Sequence, residues 1–230
     1  MIEHIEQGTL PAGKKAVIAL TSWKKRINTV GLTIYNLFET CGPDYHIVLT
    51  LAEEEFPRKE QELPRDLVLM NRAGMFEILW VKKNIRSLKK ICYAMTRYNK
   101  VPIISADDDC IYTYNYADTL YNAWRMHRKA ISSYNVAHHY GIPFQHGPAT
   151  IYPPGVFGIK CLELLMNPKV ISINHDDVLY GLIAWYNHIP IIDIAKSVPY
   201  IFHDTNDALS RTRKVKCHAA IRNLMEILRR

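Results

Sequence analysis

The chain carries 230 residues, 48% of them hydrophobic, with a formal net charge of +7 and a pI near 9.1. That is enough apolar material for a substantial core, and the moderate basic excess suits nucleic acid, an anionic membrane surface or a phosphorylated small molecule alike, so charge selects no partner. Five cysteines, Cys41, Cys92, Cys110, Cys161 and Cys217, form no CxxC pair, which argues against a zinc site or disulfide framework and for reduced thiols.

No Gly/Ser-rich or Pro-rich linker, repeat or low-complexity tract marks a boundary, so 1–230 reads as one domain. The start, Met1-Ile2-Glu3-His4, shows no basic or long apolar region, and no run approaches a membrane-spanning length; a cytoplasmic protein is the expectation. In chain order, 15–21 reads as a buried strand, followed by the basic loop Trp23-Lys24-Lys25-Arg26. A helix follows from Thr29, with Val30, Ile34, Leu37 and Phe38 at helical spacing and Gly42-Pro43 as the stop. Strands are expected at 46–51 and 76–81, with a polar surface segment at 53–62 and a short helix over 64–73 between them. The segment 87–98 is helical by pattern, and 101–104 is a fourth strand. Strand alternating with helix predicts a parallel α/β sheet.

The second half is less regular. Helices are expected over 117–129, 158–166 and 176–186, a turn at Tyr152-Pro153-Pro154-Gly155 that cannot lie in an interior strand, and a short apolar segment at 190–194. The tail 211–230 reads as a basic amphipathic helix.

Asp107, Asp108 and Asp109 follow the fourth strand directly. Adjacent carboxylates repel, so the cluster is either a well-solvated turn or a place where a cation neutralises it. Its position favours the cation, because ligands of open α/β sheets bind beyond the carboxyl ends of the strands, and hard divalent ions sit there on one or two carboxylates plus phosphates. Asp176 and Asp177 open a later helix, where a cap and a general base are both open to them. The stretch 134–152, rich in His and Tyr, suits an acceptor surface or an ordinary structured loop.

A strand ending in Thr21-Ser22, a Lys-bearing helix, an apolar strand running into Asp107-Asp108-Asp109, the Tyr-Pro-Pro-Gly turn and the Asp176-Asp177 pair together resemble bacterial glycosyltransferases of the GT-A fold. The family-2-like enzymes of surface polysaccharide synthesis are the most similar kind. The resemblance covers about 15–190 and implies a Rossmann-like α/β domain, with 15–112 binding a nucleotide-sugar and 113–210 forming a more irregular acceptor half, while the tail 211–230 matches nothing in it. It implies Asp107 and Asp109 as Mn²⁺ or Mg²⁺ ligands, with Asp108 as the variable position beside the nucleotide and His203 as either a further ligand or a structural or solvent-facing histidine. It puts Thr21 and Ser22 at the nucleoside and Arg86 and Lys89 near the donor, and it leaves Lys90 to a solvated helix face. Asp177 becomes the base of an inverting transfer, with Asp176 as the helix cap. Expected partners are a nucleotide-sugar and a glycan or lipid-linked acceptor, with the basic tail resting on the anionic inner face of the cell membrane and no nucleic acid. A metal-dependent phosphohydrolase or nuclease and a non-catalytic basic binding protein are the alternatives.

Overall fold

The computed structural model describes residues 5–158, 163–173, 175–194, 197–203 and 217–228. Four strands build the regular half: β1 (Ala16–Thr21), β2 (Tyr45–Ala52), β3 (Glu77–Val81) and β4 (Ile103–Ser105). Between them run α1 (Val30–Cys41), α2 (Arg65–Arg72) and α3 (Lys89–Arg97). β1 pairs in parallel with β2 and β4, and β2 with β3. Gly42, with φ +69°, stops α1 in a conformation that L side chains rarely adopt.

The second half adds β5 (Cys110–Tyr112), α4 (Tyr116–Met126), β6 (Ile131–Ser133), β7 (Val136–His139), β8 (Ile142–Gln145) and β9 (Thr150–Tyr152). Then come α5 (Pro168–Ile173), α6 (Asp176–Tyr186), β10 (Ile191–Asp193), β11 (Tyr200–Phe202) and α7 (Cys217–Leu228). The main sheet has seven strands in the order β10-β6-β9-β4-β1-β2-β3. Only β9 runs against its neighbours, β4 and β6, so the expected mostly parallel α/β sheet is present with one reversed strand.

Both faces of the sheet are covered, as a parallel sheet requires. Alternate residues of β1 go opposite ways. Ala16, Ile18 and Leu20 pack with α1 and α4, whereas Val17 and Ala19 pack with α3, α6 and α7.

Several expectations are corrected. The fourth strand begins at Ile103 and includes Ser105. Tyr152 lies in β9, an interior strand, so the turn starts only at Pro153. The stretch 134–152 holds the β7–β8 hairpin, and 190–194 contains the edge strand β10. Of 158–166, residues 163–165 are helical and Gly158 is not, while 159–162 lie outside the described residues. In the tail, 211–216 and 229–230 are also outside them. Ile221 and Leu224 of α7 are buried in the protein's own core. Among the described residues no helix is long and apolar enough to cross a membrane.

Candidate active site

A cavity of about 590 Å³ opens beyond the carboxyl ends of β1 and β4. Its walls include Thr21, Ser22, Arg26, Glu55, Arg86, Lys89, Lys90, the three acids Asp107, Asp108 and Asp109, and Asp176 and Asp177. All but one of the residues singled out in the sequence therefore meet in a single pocket.

The acidic turn joins β4 to β5 and is fixed from several sides. The Asp107 amide donates to the Tyr112 hydroxyl oxygen at 2.7 Å. Asp108, expected to be the variable position, is the most firmly held: the Ser22 hydroxyl donates to one of its carboxylate oxygens at 2.6 Å and Arg26 Nη1 to the other at 2.8 Å. Arg26 Nη1 also lies 2.9 Å from Asp109 Oδ2. The basic loop after β1 thus supplies a counter-ion that the sequence showed only as one of several consecutive cations. Burial pushes the Asp109 carboxyl up to about 6, with Asp107 adding to the shift and Arg26 opposing it.

Lys90, assigned to a solvated face, is buried. Its Nζ sits 2.6 Å from Asp107 Oδ1 and 3.9 Å from Asp176 Oδ2, so one ammonium spans the acidic turn and the start of α6. Burial works against that ammonium, but Asp107 and Asp176 outweigh it and raise its pKa. Lys89 faces another wall, 3.0 Å from both Glu55 Oε2 and Asn84 Oδ1, and burial lowers its pKa although Glu55 opposes this. Arg86 lines the same wall, its amide held by the Asn84 side chain at 2.9 Å. The Thr21 hydroxyl donates to the Thr50 carbonyl at 2.7 Å, bracing the end of β1 against β2.

His203 is the exception. It does not line the cavity; its amide donates to the Asp109 carbonyl, and its Nε2 lies 2.9 Å from the Thr33 hydroxyl. That hydroxyl already faces the carbonyls of Asp108 and Cys110, each at 3.0 Å, which take its single proton. His203 thus ties β11 to the back of the acidic turn.

The Asp176-Asp177 pair also departs from expectation. His175 is the N-cap of α6, Asp176 is the first helical residue, and no side-chain cap bond forms. Asp176 is turned toward Lys90. Asp177 Oδ2 accepts the Gly147 amide at 3.2 Å, with His146 Nδ1 at 4.0 Å. Burial first, then the neighbouring Asp176, raise the Asp177 pKa well above the ordinary carboxylate value, against the pull of Lys90.

Neither a family model nor a curated protein sequence matches the chain. Solved structures do. The mannosyltransferase PcManGT from Pyrobaculum calidifontis, in complex with GDP-Man and Mn²⁺, aligns with 100% of this chain and 68% of its own, at 11% identity and a TM-score of 0.62. S. aureus TarS 1–349 in complex with UDP aligns with 81% of this chain and 59% of its own, at 10% identity and a TM-score of 0.57. Its complex with UDP-GlcNAc gives 88% and 62%, at 11% identity and the same TM-score of 0.57. The chain therefore spans roughly three fifths to two thirds of these structures' lengths. Its fold is the GT-A fold of nucleotide-sugar glycosyltransferases, as the sequence motifs implied.

Proposed function

We propose that this chain is a glycosyltransferase that moves a sugar from a nucleotide-sugar to a hydroxyl of a glycan or lipid-linked acceptor in surface polysaccharide synthesis. In this reading 15–112 binds the donor and 113–210 meets the acceptor. The observation that carries it is the Lys90 bridge, which draws Asp107 of the acidic turn and Asp176 of the helix that also bears Asp177 around one pocket. A pocket of about 590 Å³ is of the size that takes a small organic ligand.

Mn²⁺ or Mg²⁺ belongs to the same reading. The donor set is all carboxylate oxygen, which suits a hard divalent ion, and the Asp109 carboxyl is pushed up to about 6 by burial and its neighbours. Among the described residues no group of three or more His, Cys, Asp or Glu converges on one point, so Asp107 and Asp109 would hold the ion with the diphosphate completing its shell. When bound, the cation neutralises charge that develops on the diphosphate as the glycosidic bond breaks.

The chain's own groups do the rest. Thr21 and Ser22 flank the nucleoside, and Arg86 and Lys89 face the donor from the opposite wall. Asp177 takes the proton of the acceptor hydroxyl. The acceptor oxygen bonds to the anomeric carbon as that carbon's bond to the diphosphate oxygen breaks, and the electron pair departs with the nucleoside diphosphate. Attack from the face opposite the leaving group inverts the configuration. Calorimetry with UDP- and GDP-sugars, with and without Mn²⁺, tests the donor half of the proposal. Asp109→Ala is expected to abolish metal-dependent binding, and unchanged affinity in that variant overturns the assignment.

A further inference from the structure

The far wall of the pocket is set by a hairpin. β7 and β8 pair antiparallel, and β8 docks on α6 where Phe144 closely approaches Gly181. A Cβ at Gly181 would come within 2.3 Å of Phe144 Cδ1, so the approach requires glycine at that position. The strand then delivers two consecutive residues to one oxygen: the Gly147 amide at 3.2 Å and His146 Nδ1 at 4.0 Å from Asp177 Oδ2. The second distance is longer than a hydrogen bond, and catalytic contacts that are long without substrate tighten when substrate binds.

We propose that His146 is the positioning residue of the Asp177 base, clamping Oδ2 together with the Gly147 amide so that the other carboxylate oxygen faces the acceptor hydroxyl. This rests on the reading of Asp177 as the base.

The tautomer follows from burial. Among the described residues His146 Nε2 is buried and has no hydrogen-bond partner. An orphaned buried N–H is rarer than an orphaned acceptor, so the neutral ring carries its proton on Nδ1, the nitrogen that faces Asp177. Burial, with His139 adding to it, lowers the His146 pKa and keeps the ring neutral. The His139 ring centroid lies 5.7 Å from that of His146, and His218 of α7 stands 5.5 Å beyond His139. On the Asp177 side the charged and titratable neighbours are Asp176, Lys90 and Asp107, with the phenols of Tyr152 and Tyr200. A neutral N–H donor stabilises the ionised carboxylate without the fixed positive charge that would make Asp177 a weak base.

The test is steady-state kinetics across pH on the full chain, with Asp177→Asn as the reference. His146→Ala and the volume-filling His146→Phe are expected to lower kcat roughly ten- to a hundred-fold, the scale of a misplaced catalytic group. They should leave the donor KM within about two-fold and move the ascending limb of kcat to higher pH, since the carboxylate loses a donor to its charged form. His146→Asn, whose amide can occupy the Nδ1–H position, is expected to recover most of the rate. An inactive Asp177→Asn beside Ala and Phe variants with wild-type kcat and pH limb overturns the inference alone. So does an Asn variant as impaired as Phe, which reduces His146 to packing. Normal turnover in Asp177→Asn overturns the base itself, and this inference with it.

Discussion

Glu77 on β3 and Asp109 after β4 are both carboxylates set among basic partners, yet their affinities for a proton move in opposite directions. At Glu77 burial works against the charge, but His46 Nε2 at 2.8 Å, the Tyr98 hydroxyl and Arg97 Nε at 3.0 Å outweigh it, and the pKa falls. At the acidic turn three carboxylates share Arg26 and Lys90, and burial pushes Asp109 up to about 6. One cluster joins β2, β3 and α3 and is satisfied by its own residues. The other lines the pocket and is left short of positive charge, a departure of the kind that clusters at functional sites.

The sharpest way to separate the two clusters is to neutralise one acid in each. Asp177→Asn is expected to lower transfer by about 10²–10⁴-fold while nucleotide-sugar affinity holds. Glu77→Gln should instead leave turnover alone and cost roughly 1–3 kcal/mol of unfolding free energy, because it weakens a charged hydrogen-bond network. Turnover and urea unfolding, measured on both variants, decide it. A transfer product of the wild-type protein that keeps the donor's anomeric configuration would break the comparison at its root, by removing the need for a base.

The two arginines give the next contrast. The Arg26 side chain is 8% exposed and lies between Asp108 and Asp109, whereas that of Arg97 is 27% exposed beside Glu77. Arg26→Met strands two buried carboxylates and is expected to cost about 3–5 kcal/mol. Arg97→Met, at a site reached by water, should cost about 1 kcal/mol or less. Similar urea midpoints for the two variants would show that the pocket is not short of positive charge.

These residues also mark how far the sequence could be read. β1 to β4 were visible because strands buried on both faces are continuous apolar runs such as Val17-Ile18-Ala19-Leu20. The acidic triplet was visible because it follows such a run at once. Arg26 was not, since its carboxylates lie 82 and 83 positions away and a run of cations looks the same whether solvated or paired. Lys90 was misassigned for the same reason: helical spacing puts it beside the apolar stripe, and its partners Asp107 and Asp176 lie far along the chain. The general preference of Asp for helix caps pointed to Asp176, but His175 holds the cap and a lysine holds the acid. β9 was hidden because three residues are too few for a period and a Pro-Pro turn follows directly.

The smallest expected effect is a stability slope, and its sign tests the contrast directly. Glu77, with a lowered folded-state pKa, contributes stability that is present above its ordinary value of 4.5 and is lost as pH falls through the lowered one. Asp109 works the other way. Its proton is held more tightly in the folded chain, so its contribution is complete below 3.8 and is lost as pH rises toward about 6. A shift of that size corresponds to about 3 kcal/mol, and the screening typical of a pocket open to water reduces the observable part to roughly 1–2 kcal/mol. Asp109→Asn removes the charge, so the variant should unfold at a higher temperature than the ligand-free wild type at pH 7, with the difference vanishing near pH 4. The gain in stability would accompany the loss of metal-dependent nucleotide binding, the exchange expected where a strained site carries function. Melting curves for the two proteins that stay parallel from pH 4 to 7 would mean that Arg26 already neutralises the turn, and that Asp109 is as settled in the fold as Glu77.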